Sequence, residues 1–416
     1  MANQCKKNKT VLVIGAGIAG LAAAWALNQK GFAVRVIDAS SDVAQGASFA
    51  NGAQLSYSYV QPLADPGVWR QLPSLLFSAS SPFAWRPSWS GAQWQWLLLF
   101  ALASRRKVSI QTTLHLLALG RISREVLENM LATTGIDCLY AQTGKLVVYP
   151  TLTSLRAAQR QVALQAQLGC EQHLLSASEA IKVEPALRDY GDQMAGAVYT
   201  PNECVADCLL LCQRLRVWLI RQGVLFDMER DVVRLSLSEG RVVGAETSLG
   251  CLKADHYVLS AGTRSRALVA SCLPMRGFRV PVYPLKGYSL TLNLDGCANA
   301  APRVSVTDTS RKLVFARLGD QLRVAGFAEI RDHDTKLDGR RIEQMLEAVQ
   351  ALFPRLSLDG HTAPWFGHRP ATPTGRPLVG RLPGGPRNLW MHTGHGMLGL
   401  TLAFGTAEQL AQQMEA

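Results

Sequence analysis

The sequence is short of charge, and what it has is uneven. Only 18% of its 416 residues are Asp, Glu, Lys or Arg and 48% are hydrophobic, which excludes a disordered chain and allows a large buried core. Acids are the scarcer sign, 31 against 43 basic residues, leaving a net charge of +12. Such an excess suits an anionic cofactor, an acidic substrate, a membrane surface or nucleic acid. Other absences exclude the last of these. There is no zinc-finger spacing, no aromatic RNA-binding signature and no Lys/Arg block, and the basic residues are scattered. No internal repeat or low-complexity tract occurs, and the length suits about two domains.

No CxxC pair occurs among the nine cysteines, so they point to a reducing, cytoplasmic compartment rather than a disulfide scaffold. Cys204, Cys208 and Cys212 recur every four residues on what reads as one helix. With no histidine beside them they read as a buried face, and no metal site is expected. No apolar run is long enough to cross a bilayer. The strongest, 94–103, is about half of the roughly 20 residues a spanning helix needs. Lys6, Lys7 and Lys9 before an apolar run imitate a secretory leader. Yet the run 11–14 is followed by Gly15-Ala16-Gly17-Ile18-Ala19-Gly20, a spacing that serves a phosphate loop better than a cleavage site.

What is present begins with a βαβ unit. Residues 11–14 read as a buried strand, 18–30 as a helix stopped by Gly31, and 33–37 as a second strand ending at Asp38. Further on, helices are expected over 110–134, 152–168 and from an Asp207 cap to 222, with strands over 143–149, 224–237, 241–247 and 255–260. Between 282 and 330 the pattern alternates with period two and includes a hairpin turning at Gly319-Asp320. A last strand over 389–392 leads through a glycine-rich turn into a C-terminal helix. The fold class is therefore α/β: a dinucleotide-binding domain of Rossmann type interleaved with an α+β second domain built on an antiparallel sheet. The expected division gives 9–85, 155–280 and 366–416 to the first domain, and 86–154 and 281–365 to the second.

Three stretches carry chemistry. Gly15 permits a tight turn, Gly17 lets the backbone approach a pyrophosphate, and Gly20 lets helix and strand pack closely. Asp38 stands where a ribose hydroxyl would be bound. This much fits NAD or FAD. Two further features favour flavin. One is the strand 255–260 ending in Ala261-Gly262, small residues where backbone passes close to a dinucleotide. The other is His392-Thr393-Gly394-His395-Gly396-Met397-Leu398-Gly399-Leu400-Thr401, whose helix N-terminus suits negative charge on the pyrimidine end of a reduced flavin.

These blocks resemble the flavin-dependent D-amino acid dehydrogenases of bacteria (small subunit type), within the glycine oxidase and D-amino acid oxidase-like family. The resemblance runs nearly end to end. It rests on the first glycine loop, on Ser48-Phe49-Ala50-Asn51-Gly52-Ala53-Gln54 and on Pro281-Val282-Tyr283-Pro284-Leu285-Lys286-Gly287-Tyr288-Ser289-Leu290. It continues in Arg369-Pro370-Ala371-Thr372-Pro373 with Gly375, Pro377, Val379 and Gly380, and in the glycine-lined helix entry. One departure is the order Asn51-Gly52-Ala53-Gln54, where the family has Asn-Ala-Gly-Gln.

The resemblance implies an FAD domain of the glutathione reductase/D-amino acid oxidase type and noncovalent FAD, since 366–380 holds no cysteine for a covalent link. It implies that Ser48, Asn51 and Gln54 line the flavin, that Val232 meets the adenine through its backbone, and that Gly394, Gly396, Met397, Leu398, Gly399 and Thr401 hold the ring system. Arg369 looks like the clamp for a substrate α-carboxylate, with a structural salt bridge as the alternative. Tyr288 is read either as a second carboxylate partner or as core. Lys286 and His395 are secondary candidates, the first also readable as a sheet anchor, the second as packing under the flavin.

The implied reaction is oxidative deamination of D-amino acids to 2-oxo acids and ammonia, with electrons passed to a quinone or other respiratory-chain acceptor. An oxidase of the same fold using oxygen, an L-amino acid deaminase and a non-enzymatic flavoprotein remain open alternatives. Trp69, Trp85, Trp89, Trp94 and Trp96 fall in one Pro-rich stretch that ends in Arg105-Arg106-Lys107. They suit either a domain core or, over 69–107, peripheral contact with the inner face of the cell membrane.

Overall fold

A computed structural model describes residues 9–58, 63–67, 82–273, 280–332, 334–359 and 364–415. Trp69, Lys6 and Lys7 lie outside the described residues. Among those described, two large sheets organise the chain. The first has six strands in the order Leu378–Arg381, Leu389–Thr393, His256–Leu259, Thr10–Ile14, Ala33–Ile37 and Leu225–Asp227. All its pairings are parallel except the outermost, Leu378–Arg381 against Leu389–Thr393. Val13 stands between Val36 and Val258, so β-branched residues form the middle of this sheet.

Helices cover one face. Ile18–Gln29 is mostly small and apolar and is buried along nearly its whole length, so it packs between strands and the C-terminal helix Gly399–Glu415. Asp207 caps the helix Cys208–Arg221 by accepting from the Leu210 N–H at 2.9 Å. Cys204 stands before that helix, on a short strand paired with Gln54–Leu55, so the three cysteines do not share one helix. All three are buried in the apolar cluster under this sheet.

The second sheet has nine strands. Its longest, Tyr283–Asn293, is flanked by Trp365–Ala371 on one side and Gln321–Ile330 on the other. Leu313–Leu318 turns into Gln321–Ile330 at Gly319-Asp320, as the alternation predicts, with Gly319 at φ +59°. Ser305–Asp308, Lys145–Tyr149, Gly196–Thr200 and His173–Leu175 complete that side, and Phe83–Trp85 joins Gln321–Ile330 in parallel.

Sheet membership divides the chain differently from the expected segments. Residues 173–175 and 196–200 belong to the second sheet, as do 83–85 and 365–371. The helix Arg106–Thr134, assigned to the second domain, contributes Leu127 and Met130 to the core of the first. It lies against the C-terminal helix so closely that a Cβ on Gly405 would fall 2.8 Å from the Ser123 nitrogen. Periodicity identifies strands but not their partners, which are fixed by pairings far apart in sequence.

The Trp-rich stretch splits by residue. In the helix Gly91–Ala103, Trp96 and Phe100 are buried, while Trp94, Leu98 and Leu102 form an exposed stripe at i, i+4 spacing. Trp89 is fully exposed just before it.

Candidate active site

The two sheets meet around one cavity of about 840 Å³. Its floor is the carboxyl end of the parallel sheet, where strands give way to glycine-rich turns. Gly15 stands at φ +111°, and a Cβ there would lie 2.5 Å from the Ser260 carbonyl oxygen. Gly20 does not reach the cavity. It is the packing glycine, since its Cβ would lie 1.8 Å from the Gly15 carbonyl oxygen. Gly17 borders open cavity and begins the first helix without a side-chain cap, so the helix end keeps donors for an anion.

Ser48 Oγ accepts from the Ile18 N–H at 3.1 Å, and Asp38 accepts from Ala16 and Ser40 N–H groups at 2.7 and 2.9 Å. Both residues line the cavity. Asp38 keeps lone pairs for a hydroxyl. Val232, Ala261 and Gly262 line the same end, with the Val232 carbonyl accepting from Arg264 at 3.4 Å.

The loop after Ser48 explains the swapped order of its small residues. A Cβ on Gly52 would meet a Val314 methyl at a tight 3.0 Å, so the glycine relieves crowding there. Ala53 then takes the left-handed backbone at φ +57°, held by its N–H donating to Asn51 Oδ1 at 3.0 Å. Asn51 and Gln54 both reach the cavity, and Gln54 Nε2 bridges the Val306 and Phe315 carbonyls at 3.4 Å each.

Gly396, Met397, Leu398 and Gly399 line the cavity at the start of the C-terminal helix. Gly394 and Thr401 stand behind them. A Cβ on Gly394 would meet Thr372 at 2.6 Å, and Thr401 Oγ1 accepts from the Ser56 N–H at 3.2 Å. His395 is buried and its ring stays neutral, because burial and nearby His392 lower its pKa well below the usual value. Both imidazoles reach Thr406 Oγ1 through Nε2, at 2.9 and 2.8 Å. The Thr406 hydroxyl proton points to the Leu402 and Ala403 carbonyls, so both rings donate to it.

Arg369 lies on the opposite wall. Its guanidinium crosses Gly287 on the neighbouring strand, where a Cβ would fall 2.3 Å from Nη2. Nη1 donates to the Phe327 carbonyl at 2.6 Å and Nη2 to the Gly326 carbonyl at 3.3 Å. Burial lowers its pKa to about 10, and no carboxylate among the described residues acts against that shift. This part-buried guanidinium lines the cavity with carbonyl partners and no carboxylate partner among the described residues, and its fork of donors suits a carboxylate.

Tyr288 lines the cavity with its ring, but its hydroxyl donates to buried Glu329 at 3.2 Å, and Glu329 also accepts from Arg341 at 2.8 Å. Burial and that carboxylate raise the Tyr288 pKa. A substrate carboxylate would have to displace Glu329 to gain this hydroxyl. Lys286 is off the cavity wall. It binds Asp334 at 2.7 Å and the Lys336 carbonyl, and lies over the Phe366 ring at 4.5 Å, as a sheet anchor does.

Several wall residues had no signal in the sequence. Trp365 folds over Gly367, whose Cβ would lie 2.1 Å from the indole, and Lys145 reaches the wall from the far side of the second sheet. Ser260 Oγ on the floor and Thr307 Oγ1 on the second sheet are buried and have no hydrogen-bond partner among the described residues. A glycine cradle at a helix N-terminus, the Asp38 carboxylate and hydroxyls without partners among the described residues together fit an elongated, polar, anionic cofactor such as FAD.

Comparison with known proteins agrees. The DAO family, described as FAD dependent oxidoreductase, matches residues 10–413. The chain is 43% identical over 410 residues to "D-amino acid dehydrogenase 2" of Ralstonia nicotianae, covering 96% of this chain and 95% of that one. It is 40% identical over 406 residues to "D-amino acid dehydrogenase 2" of Pseudomonas aeruginosa, covering 97% and 94%. Glycine oxidase from Bacillus cereus has the same fold, with a TM-score of 0.75 at 18% identity over 98% of this chain and 95% of that one. The chain therefore belongs to the DAO family of FAD dependent oxidoreductases.

Proposed function

We propose that this chain is a D-amino acid dehydrogenase, which oxidises a D-amino acid to an imino acid that water converts to a 2-oxo acid and ammonia. The observation that carries it is Arg369, a part-buried guanidinium on the cavity wall with carbonyl partners and, among the described residues, no carboxylate. The names of the relatives support the choice of substrate.

FAD supplies the two-electron acceptor. The chain supplies position and charge. Gly15, Gly17 and the first helix end would hold the pyrophosphate, Asp38 the ribose, and Gly396 to Gly399 the pyrimidine end of the ring system, with Thr401 behind them bracing Ser56. Arg369 would bind the substrate carboxylate and so fix where Cα sits. No side chain has to take the Cα proton, since that hydrogen leaves with its electron pair from a neutral amine. His395, neutral and engaged with Thr406, would pack rather than transfer protons.

The electrons would pass to a quinone or another membrane acceptor. Support for this comes from the exposed stripe of Trp94, Leu98 and Leu102, which runs into exposed Arg105, Arg106 and Lys107. That pairing suits peripheral contact with an anionic lipid surface. No helix of the described residues is long and apolar enough to cross a membrane.

Anaerobic titration with D-alanine and L-alanine tests the reading. D-alanine should bleach the flavin and L-alanine should not. Bleaching by the L-isomer alone would make the chain an L-amino acid deaminase, and no bleaching by any amino acid would remove the activity.

A further inference from the structure

Lys145 is 4% exposed, opens the strand Lys145–Tyr149 and lines the flavin cavity. Its Nζ donates to Ser56 Oγ at 2.8 Å. The Ser56 N–H in turn donates to Thr401 Oγ1 at 3.2 Å, in the first turn of the C-terminal helix. The ammonium is thus tied to the helix end that faces the cavity, where the N-terminal dipole already favours negative charge. Glu203, the carboxylate whose charge acts on it, accepts from the Tyr57 and Ser58 N–H groups at 2.8 and 2.7 Å. Burial lowers the Lys145 pKa to about 8, with Glu203 working in the opposite sense. An apolar side chain would fill the same volume without the desolvation penalty of a buried ammonium at the cavity wall.

We propose that Lys145 is an electrostatic partner of the cofactor: its ammonium, with the N-terminus of the Gly399–Glu415 helix, stabilises negative charge on the pyrimidine end of reduced flavin. It makes the bound flavin a better electron acceptor. The proposal rests on the ring placement given under Proposed function.

The test uses the FAD-loaded protein and sulfite, whose adduct with flavin leaves negative charge on the pyrimidine end. Lys145→Met should bind sulfite about tenfold more weakly and lower the two-electron midpoint potential by about 30 mV, the equivalent of that factor. Lys145→Arg should restore both. If Lys145→Met fails to hold FAD, Lys145→Gln keeps a donor for Ser56 and carries the same expectation. Unchanged sulfite affinity and potential in the neutral variant overturn the proposal. Met397→Glu, half-exposed at the same helix entrance, separates this from the placement it rests on. If that carboxylate weakens sulfite binding while loss of Lys145 does not, only Lys145 is refuted. If neither variant has an effect, the placement itself has failed.

Discussion

The Phe327 carbonyl accepts a 2.6 Å hydrogen bond from Arg369 Nη1, and Phe327 makes that contact from a left-handed backbone at φ +56°. The register around it shows why. Lys286 pairs with Glu329 and Tyr288 with Gly326, so Gly287 alone faces both Phe327 and Ala328. This bulge turns successive carbonyls toward the guanidinium while Gly287 leaves room for it. A non-glycine residue in that conformation is held by its surroundings, here beside the Arg369 guanidinium.

Arg369→Leu should therefore weaken D-amino acid binding by about 3 kcal/mol, roughly a hundredfold, because the substrate carboxylate is left buried without a partner. FAD content should hold, since the cradle lies on the opposite wall. Steady-state kinetics with flavin absorbance per protein checks both. An unchanged KM would mean that the carboxylate binds elsewhere.

Gly287→Ala tests the same clamp without touching the arginine. The new methyl would claim space now 2.3 Å from Nη2, so the guanidinium must shift from its present position. KM should rise at least tenfold, with FAD retained and the melting temperature little changed. If KM stays put, the guanidinium has an equally good second position.

The glycine loop separates binding from folding. A Cβ at position 17 would meet only Ser48 Oγ, at 3.4 Å, so Gly17→Val should fold and yet be colourless, its side chain occupying the space of the pyrophosphate. Gly20→Ala should instead destabilise the protein, because its methyl would collide with the Gly15 carbonyl at 1.8 Å. Flavin absorbance and thermal melting distinguish the two outcomes. A yellow Gly17→Val protein would refute the cradle.

Much of this floor was legible in the sequence because its pieces are local. Strand, turn, helix and Asp38 lie within one stretch of about 30 residues, the length of a βαβ unit. The wall was legible only where a residue type announced itself, as Arg369 did. Lys145 and Phe327 were not, since each is brought to the cavity by pairings with distant strands and carries no motif. Tyr288 was legible as a strand residue, but Glu329, which takes its hydroxyl, lies 41 positions away. The swapped Gly52 and Ala53 could be seen at once, whereas the residue that crowds position 52, Val314, belongs to the other sheet.

Acid should loosen the C-terminal helix through His392. Burial lowers its pKa to about 4 in the folded chain, against about 6.5 when unfolded. The unfolded chain therefore takes the proton first as pH falls. The contribution is fully present above about pH 6.5 and is lost between there and about pH 4, on the order of 3 kcal/mol in all. His392→Gln, which keeps a donor for Thr406, should lose less stability between pH 7.5 and pH 5 than the wild type, by about 2 kcal/mol. Denaturant titrations at both pH values measure the difference. Equal losses would show that His392 titrates in the folded protein much as it does unfolded.

The last prediction concerns the membrane. Trp94, Leu98 and Leu102 are 50%, 64% and 42% exposed along one face of Gly91–Ala103, while Trp96 and Phe100 on the other face are buried. One helix thus serves both readings of the tryptophans, core on one side and open on the other. Arg105, Arg106 and Lys107 follow immediately and are exposed, so cations stand where lipid headgroups would meet the apolar stripe. Three such cations contribute about 3 kcal/mol on an anionic surface, and high salt screens them. The protein should float with vesicles containing anionic lipid at low salt and stay behind with neutral ones. Leu98→Glu should abolish flotation without altering flavin reduction by D-alanine. It should also slow transfer to a quinone embedded in the vesicle while leaving a soluble dye unaffected. Wild-type protein that ignores anionic vesicles, and that makes peroxide in air as fast as it reduces dye, would make this an oxidase with an unused apolar stripe.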